Sequence, residues 1–197
     1  RARVREIVAL ALAAGQTVLG ECRSKEILAA YGIPVAITRM AADVEEALAV
    51  AADIGYPVAL KIHSPDIAHK SDVGGVALDL DNPTILRTAA AAMEKRVRKM
   101  RPDALIDGFT VQQMARRPQS HELIVGVTTD SAFGPVILVG QGGISVEVTA
   151  DHAIGLPPLS MVVARDTLAR TRVSKLLAGY RNQPAADIDA ICYALIQ

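Results

Sequence analysis

The sequence predicts an α+β fold made of two lobes. Its first half alternates helical and extended segments, whereas its second half has four extended segments followed by three helical ones. Apolar residues make up 51% of the chain and are mainly Ala, Val, Leu and Ile, with few aromatic side chains. This composition is typical of packed helices and sheets, and 197 residues suffice for one large domain or two small lobes.

Two helices are predicted before the first strand. The helical pattern at the start of the chain ends at Gly15, a residue type that favours helix ends. We expect residues 1–19 to form a helical connector. Ser24 is the predicted N-cap of a second, shorter helix that stops at Gly32.

A strand–helix–strand unit follows in the first lobe. Asp43 is placed to cap a helix that carries one apolar stripe. The strand of residues 58–63 comes next, and Asn82 and Pro83 then open a long Ala-rich helix. We place the first lobe at residues 20–105, because the pattern of the chain changes after this helix.

The second lobe is predicted over residues 106–197. Its extended segments FTVQQMA, HELIVGVTTD, FGPVILVG and ISVEVTA are separated by turn residues and predict an antiparallel sheet. Three helices are expected after a proline-rich break, over residues 161–168, 173–178 and 186–196.

The charge and the apolar pattern exclude two classes of partner. The 21 basic and 21 acidic residues balance, so nothing steers the chain toward nucleic acid or an acidic membrane. The apolar run of residues 7–14 is too short to cross a bilayer. The two cysteines, Cys22 and Cys192, do not have the spacing of a metal site. We predict a cytoplasmic protein with reduced thiols. Because the chain starts with Arg1, we also expect it to be a fragment or a processed chain.

The most informative segment is a strand that carries a lysine and is followed by a glycine-containing loop. Apolar residues alternate with Lys61 and His63, so these two side chains share one face of a half-buried strand. The loop contains Lys70 and ends in Gly74 and Gly75, whose backbone amides can approach an oxyanion closely. This predicts phosphate binding. The alternative is a polar hairpin in which the lysine reaches solvent and the glycines only turn the chain.

Seven segments resemble, in order, the ATP-grasp region of the NDP-forming acyl-CoA synthetase family: YGIPV, IGYPVALKIHSPDIAHKSDVGGV, VQQM, ELIVGV, FGPVILVGQGGISVEV, LPPL and LLAGYR. The family includes ADP-forming acetate-CoA ligases, some fused to an acyltransferase domain, and is distantly similar to the succinyl-CoA synthetase β subunit. The resemblance implies an ATP-grasp fold, in which two lobes hold ATP in a cleft. It implies that the parent enzyme converts an acid, CoA and ATP to acyl-CoA, ADP and phosphate.

The resemblance also implies roles for the lysine strand and its loop. Lys61 matches the lysine that contacts nucleotide phosphates, and Lys70, Gly74 and Gly75 match a flexible loop over those phosphates. His69 matches a histidine implied to relay phosphate between the nucleotide and a phosphohistidine of the CoA-ligase part. A purely conformational role for the glycines and a merely exposed position for His69 remain the alternatives.

A second group of residues is implied to bind the nucleotide base or ribose. Gln112, Gln113 and Met114 match the hinge strand that runs beside adenine, where Gln113 replaces the usual Glu of the family. This replacement keeps an acceptor oxygen, loses the charge and adds an amide donor. Glu122 matches a second acidic position near the nucleotide, although it could instead pair across a sheet.

Glu147 is the predicted metal ligand. It lies in a segment that matches the family pattern GLGGxxVEV, with Gln141 in the place of Leu, and Asp151 is a second candidate. In a phosphate cleft such a carboxylate coordinates Mg²⁺, orients the attacking group or pairs with a lysine. The alternative is that both residues are ordinary surface charges. The resemblance thus implies ATP or ADP and Mg²⁺ as ligands, and CoA in the parent enzyme.

The resemblance leads to one further expectation about the extent of the chain. Related proteins continue beyond the position of Gln197 with strands that carry principal Mg²⁺ ligands, so we expect an ATP-grasp module that is truncated at its C-terminus and inactive alone. Its expected partner is a CoA-binding and ligase domain that carries a phosphohistidine. The alternative function is a non-catalytic nucleotide-sensing or regulatory module of a protein acyltransferase.

Overall fold

The computed structural model describes residues 2–115, 117–143 and 146–197. The helices and strands in these ranges are, in chain order, α1 (Ala2–Ala13), α2 (Glu21–Ala30), β1 (Thr38–Ala41), α3 (Val44–Ile54), β2 (Val58–His63), a 3₁₀ helix (Lys70–Val73), β3 (Val76–Leu80), α4 (Pro83–Met100), β4 (Gly108–Gln113), β5 (Leu123–Asp130), β6 (Gly134–Gln141), α5 (Val146–Thr149), β7 (His152–Gly155), α6 (Met161–Ala169), α7 (Ser174–Leu177) and α8 (Ile188–Ile196). The predicted α+β class is confirmed, and so is the antiparallel pairing predicted for the second lobe.

The chain divides into two compact units, Arg1–Arg116 and Arg117–Gln197. The first unit contains a four-stranded antiparallel sheet in the order β1-β4-β2-β3. Strand β4 was predicted to open the second lobe, but it pairs with β1 and β2 at the centre of this sheet. The first unit therefore ends after β4 and not at residue 105.

One face of the first sheet forms the apolar core of its unit. Leu60 and Ile62 of β2 and Phe109 and Val111 of β4 are fully buried there. They pack in one cluster with buried residues of α3 and α4. The opposite face carries the alternate residues, including Lys61, so the predicted alternation is confirmed from Leu60 to His63, whereas Ala59 is buried as well.

Side-chain caps set the starts of two helices as the sequence predicts. Asp43 Oδ1 accepts a hydrogen bond of 2.8 Å from Glu46 N at the start of α3, and Asn82 Oδ1 accepts one of 3.0 Å from Ile85 N at the start of α4. The predicted start of α2 at Ser24 is wrong. This helix begins at Glu21 with Gly20 as its N-cap, so Ser24 N already donates to Gly20 O inside the helix.

The second unit packs three helices against a smaller sheet. Its strands pair antiparallel in the order β5-β6-β7. Val139 of β6 is buried in one cluster with Leu168 of α6, Leu177 of α7 and Leu195 of α8. Helices α6, α7 and α8 confirm the three helices predicted after the proline-rich break.

The fourth strand predicted for this unit, ISVEVTA, is wrong for its described residues. Gly143 adopts a positive φ of 85°, a conformation that strands rarely contain and that glycine adopts readily. Val146 N donates to Gly143 O, and Ala150 N donates to Val146 O at 3.0 Å, which closes a helical turn. The segment therefore forms the short helix α5, and the third strand of the sheet is β7.

Cys22 is half-buried and Cys192 is buried, and both are free thiols. None of the helices in the described part of the chain has the length and apolar character that a bilayer crossing requires.

Candidate functional site

Lys61 lies in a hydrogen-bonded group of side chains on the polar face of the first sheet. Its Nζ donates to Glu21 Oε1 and to Gln112 Oε1, both at 2.7 Å. Lys25 Nζ donates to the same two oxygens, both at 2.9 Å, and to Thr38 Oγ1 at 2.7 Å. We call these five residues the lysine cluster.

Strand pairing and one turn of helix assemble this cluster. In β4, Gln112 lies opposite Thr38 of β1 and opposite Ala59 of β2, so its side chain emerges on the same face as that of Lys61. Glu21 and Lys25 stand four residues apart on α2, which places them on one side of that helix. No residue of α2 is fully buried, and its half-buried Glu21 and Lys25 side chains make hydrogen bonds to the sheet.

The cluster has an excess of positive charge. Two ammonium groups face one carboxylate, and the side chains of Lys25, Lys61 and Glu21 are only 21%, 20% and 25% exposed. Partial burial acts to raise the pKa of Glu21, but the hydrogen bonds from Lys61 and Lys25 outweigh it and hold this pKa below its usual range. Glu21 is therefore ionised at neutral pH, and the remaining positive charge favours an anionic ligand.

The loop between β2 and β3 is hydrogen-bonded to β2 through its glycine pair. Ile62 N donates to Gly75 O at 2.8 Å, so Gly75 lies beside the strand that carries Lys61. Gly74 N donates to Ser71 O at 3.0 Å, and Gly75 N donates to Lys70 O at 2.7 Å. Both glycine amides are thus used inside the loop, which supports the conformational role that the sequence left open.

The other two loop residues of interest differ in burial. His69 is exposed and precedes the 3₁₀ helix, where its side chain makes no capping hydrogen bond. Lys70 is half-buried and begins that helix. Arg96 of α4 donates to Gly74 O at 3.3 Å and so contacts the end of the loop.

The shape of the loop depends on the absence of a side chain at Gly75, which yields a test. A Cβ there would lie 2.6 Å from Ile62 Cγ2 and 2.9 Å from Lys70 O. We expect Gly75→Ala to lower the free energy of unfolding by about 1–3 kcal/mol in the absence of any ligand. Urea unfolding measures this, with Gly126→Ala as the control because no atom lies within 4 Å of a Cβ at that position. Unchanged stability would contradict the conformational role.

The three residues that match the hinge strand of the family, Gln112, Gln113 and Met114, lie in different surroundings. Gln112 joins the lysine cluster, whereas Gln113, the next residue along β4, is exposed. Gln113 N donates to Ile37 O at 2.9 Å and Met114 N donates to Pro57 O at 3.2 Å. These two backbone donors are therefore used within the first unit, and Gln112 is the side chain that the structure brings to Lys61.

The second unit contains the two predicted acidic residues. Glu122 is exposed, and its carboxylate lies over the glycine turn, where a Cβ on Gly143 would be 2.8 Å from Glu122 Oε2. Gly142 N donates to Glu122 O at 2.8 Å, so the turn is also bound to the backbone of Glu122. Glu147 belongs to α5, but its side chain lies outside the described part of the structure.

Asp151 is a structural carboxylate. It is buried, and its two oxygens accept hydrogen bonds of 2.7 Å from Arg172 N and Val173 N, just before α7. Burial acts to raise the pKa of Asp151, but these two hydrogen bonds and the Arg172 guanidinium outweigh it, so the pKa is lowered. Its predicted partnership with Glu147 in metal binding has no support, because both oxygens serve the backbone.

A metal site built from three or more protein ligands is not found among the described residues. Nowhere in residues 2–115, 117–143 and 146–197 do three or more His, Cys, Asp or Glu side chains form a group that could hold a metal ion.

The Asp151 hydrogen bonds predict an acid-dependent loss of stability. A carboxyl group with a lowered folded-state pKa stabilises the fold fully above its unfolded-state pKa, about 3.9, and this contribution is lost as the pH falls through the folded-state value. We expect Asp151→Asn to lower the free energy of unfolding by about 1–3 kcal/mol at neutral pH. This deficit should shrink below about pH 3.9 in urea unfolding. The exposed Asp166→Asn is the control, and a deficit independent of pH would contradict the assignment.

Sequence reasoning missed Glu21, Lys25 and Thr38. The available signal was the Glu–Lys pair at a spacing of four in the segment ECRSKEIL. The predicted start at Ser24 left Glu21 outside the helix and hid this spacing.

Comparison with known proteins decides the family. A model of the ATP-grasp domain matches residues 10–197. The β subunit of an ADP-forming acetate–CoA ligase II from Pyrococcus furiosus is 38% identical over 192 residues, which cover 98% of this chain and 80% of that subunit. This chain belongs to the ATP-grasp part of the ADP-forming acyl-CoA synthetase family. The family resemblance drawn from the seven sequence segments is confirmed.

A longer relative contains the same region as one part of a single chain. The ADP-forming acetate–CoA ligase I of Archaeoglobus fulgidus is 39% identical over 197 residues, which cover 100% of this chain and 28% of that protein. The Pyrococcus relative, by contrast, is a separate subunit of similar length. The expectation that this chain is inactive alone therefore has no support from the comparisons.

Solved structures share the fold over most of the chain. A dinucleotide-forming acetyl-coenzyme A synthetase of Ca. Korarchaeum cryptofilum, in complex with coenzyme A and Ca-AMPCP, has a TM-score of 0.92 and 38% identity, covering 98% of this chain and 83% of that one. A second structure of that enzyme contains coenzyme A and Mg-AMPPCP, with a phosphohistidine segment pointing towards the nucleotide binding site. It has a TM-score of 0.83 and 35% identity and covers 98% of this chain and 82% of that one.

Proposed function

We propose that this chain supplies the nucleotide site of an ADP-forming acid–CoA ligase, which converts an acid, CoA and ATP to acyl-CoA, ADP and phosphate. The observation that carries the proposal is the lysine cluster, in which two half-buried ammonium groups share a single carboxylate. A positive site of this kind suits a polyphosphate, and relatives in the same family are named as ADP-forming ligases.

Lys61 is the residue proposed to bind the phosphates. Phosphoryl transfer depends mainly on holding the phosphates in place and on neutralising their charge. Lys61 does both, because Glu21 and Gln112 hold its ammonium group in place beside β2. Gln112 turns its amide oxygen to the lysines, which leaves its amide NH₂ as a donor for the nucleotide.

The remaining predicted contacts stay predictions. Lys70, Gly74 and Gly75 would shape the loop over the phosphates, and Gln113, Met114 and Glu122 would contact the base or ribose. Mg²⁺ binding by Glu147 and the cytoplasmic location also stay predictions.

The partner of this nucleotide site is a CoA-binding and ligase part that carries a phosphohistidine. A related structure is described with such a segment pointing towards its nucleotide site, in a complex that also contains coenzyme A. In this chain, His69 is exposed and so is accessible to a segment of this kind. We propose that its imidazole relays the phosphoryl group between the nucleotide and that histidine.

Calorimetric titration with ATP and ADP, with and without Mg²⁺, tests the assignment of Lys61. We expect Lys61→Met to weaken nucleotide binding about tenfold or more, because a charge-assisted hydrogen bond to phosphate is lost. The control is Lys95→Met, which removes an exposed lysine of α4. Equal affinities of the wild-type and Lys61→Met chains would refute the assignment.

The relay proposed for His69 has a separate test. His69→Ala should bind ATP with unchanged affinity, because the residue acts after binding. When the chain is combined with its CoA-ligase partner, the variant should fail to move the labelled γ-phosphate of ATP onto the partner's histidine. Label transfer at the wild-type rate would rule out the relay.

A further inference from the structure

The two lysines of the cluster differ in the use of their hydrogen-bond donors. An ammonium group has three N–H donors. Lys25 directs its Nζ to three acceptors, Glu21 Oε1, Gln112 Oε1 and Thr38 Oγ1. In the part of the chain that the structure describes, Lys61 directs its Nζ to only two, Glu21 Oε1 and Gln112 Oε1. A donor is therefore available on Lys61 and none is available on Lys25.

We propose that Lys25 is a positioning residue that neutralises Glu21 and so leaves the charge of Lys61 for the nucleotide phosphates. This inference rests on the proposed function, because it assigns roles within the same nucleotide site. It gives the two lysines different roles, although they are the same residue type and are buried to the same extent. Lys61 contacts the ligand, and Lys25 acts through Glu21 on the charge that the ligand meets.

The charges of the cluster support this division. Glu21 Oε1 accepts from both lysines, so the same oxygen is shared between Lys25 and Lys61. Without Lys25, Glu21 would pair with Lys61 alone, and the cluster would have no net charge. A phosphate would then have to compete with a half-buried carboxylate for Lys61. With Lys25 present, one positive charge remains uncompensated.

A direct phosphate contact by Lys25 is disfavoured by its existing bonds. Such a contact would replace a hydrogen bond to Glu21, Gln112 or Thr38 and leave that partly buried acceptor without its donor. Binding through the available donor of Lys61 breaks none of these contacts.

A charge-rescue experiment tests the proposal by calorimetric titration with ADP and ATP. Lys25→Met should weaken nucleotide binding about tenfold, because it leaves Glu21 to neutralise Lys61. The double variant Lys25→Met with Glu21→Gln removes one positive and one negative charge, so its affinity should return to within about twofold of wild type. Arg23→Met is the matched control, because it removes a positive charge from an exposed position of the same helix and should change affinity less than about twofold.

The two other models of Lys25 give different results. If Lys25 contacts the nucleotide, adding Lys25→Met to a Glu21→Gln chain would weaken binding as much as it does in the wild type. If Lys25 only supports the fold, the double variant would not recover affinity. Either result would overturn the proposal. If the single variant Lys25→Met fails to fold, the double variant still tests the proposal, because its affinity should lie within about twofold of wild type.

A second measurement separates this proposal from the proposed function. If the wild-type chain does not bind nucleotide, the proposed function fails, and the role of Lys25 is then examined by urea unfolding of the same variants. The destabilisation caused by Lys25→Met should be larger in the wild-type background than in the Glu21→Gln background, because only ionised Glu21 needs neutralisation. Equal destabilisation in both backgrounds would overturn the pairing on which the inference depends.

Discussion

Sharing of one carboxylate oxygen by two lysines is the interaction on which the candidate site depends. Glu21 Oε1 lies 2.7 Å from Lys61 Nζ and 2.9 Å from Lys25 Nζ. This contact joins α2 to the sheet, although α2 has no fully buried residue. Partial burial makes the two positive charges costly unless they are compensated, and one carboxylate compensates only one of them. The site is therefore positively charged because the fold brings two lysines to one carboxylate, although the whole chain has no net charge.

The hydrogen-bond donors around an ionised carboxylate decide whether it has a structural role or belongs to the candidate site, as Glu21 and Asp151 show. Asp151 is buried and its oxygens accept from two backbone amides, so its charge organises the segment that leads into α7. Glu21 is half-buried and accepts from two side chains whose charge can also meet a ligand. The pKa of each lies below its usual range, so a lowered pKa alone does not distinguish the structural carboxylate from the one at the site.

The glycine pair of the loop supports the site through backbone conformation. Gly74 adopts a left-handed conformation with φ of 63°, and Gly75 fits against Ile62 only because it has no side chain. Both amides bond within the loop, and the carbonyl of Gly75 bonds to β2. The loop is thereby joined to the strand that carries Lys61, and the membership of the chain in an ATP-grasp family gives this arrangement its nucleotide context.

The sequence by itself determined the features that depend on neighbouring residues. Local periodicity and local hydrogen bonding, which a short window of sequence contains, account for the burial alternation of β2 from Leu60 to His63 and for the caps at Asp43 and Asn82. They also account for the helices of the second unit. Tertiary structure alone decided that β4 belongs to the first sheet and that Gln112 meets Lys25, 87 residues earlier in the chain. Strand partners and helix-to-sheet contacts of this kind depend on which distant surfaces pack together, and no local pattern of apolar and polar residues specifies that choice.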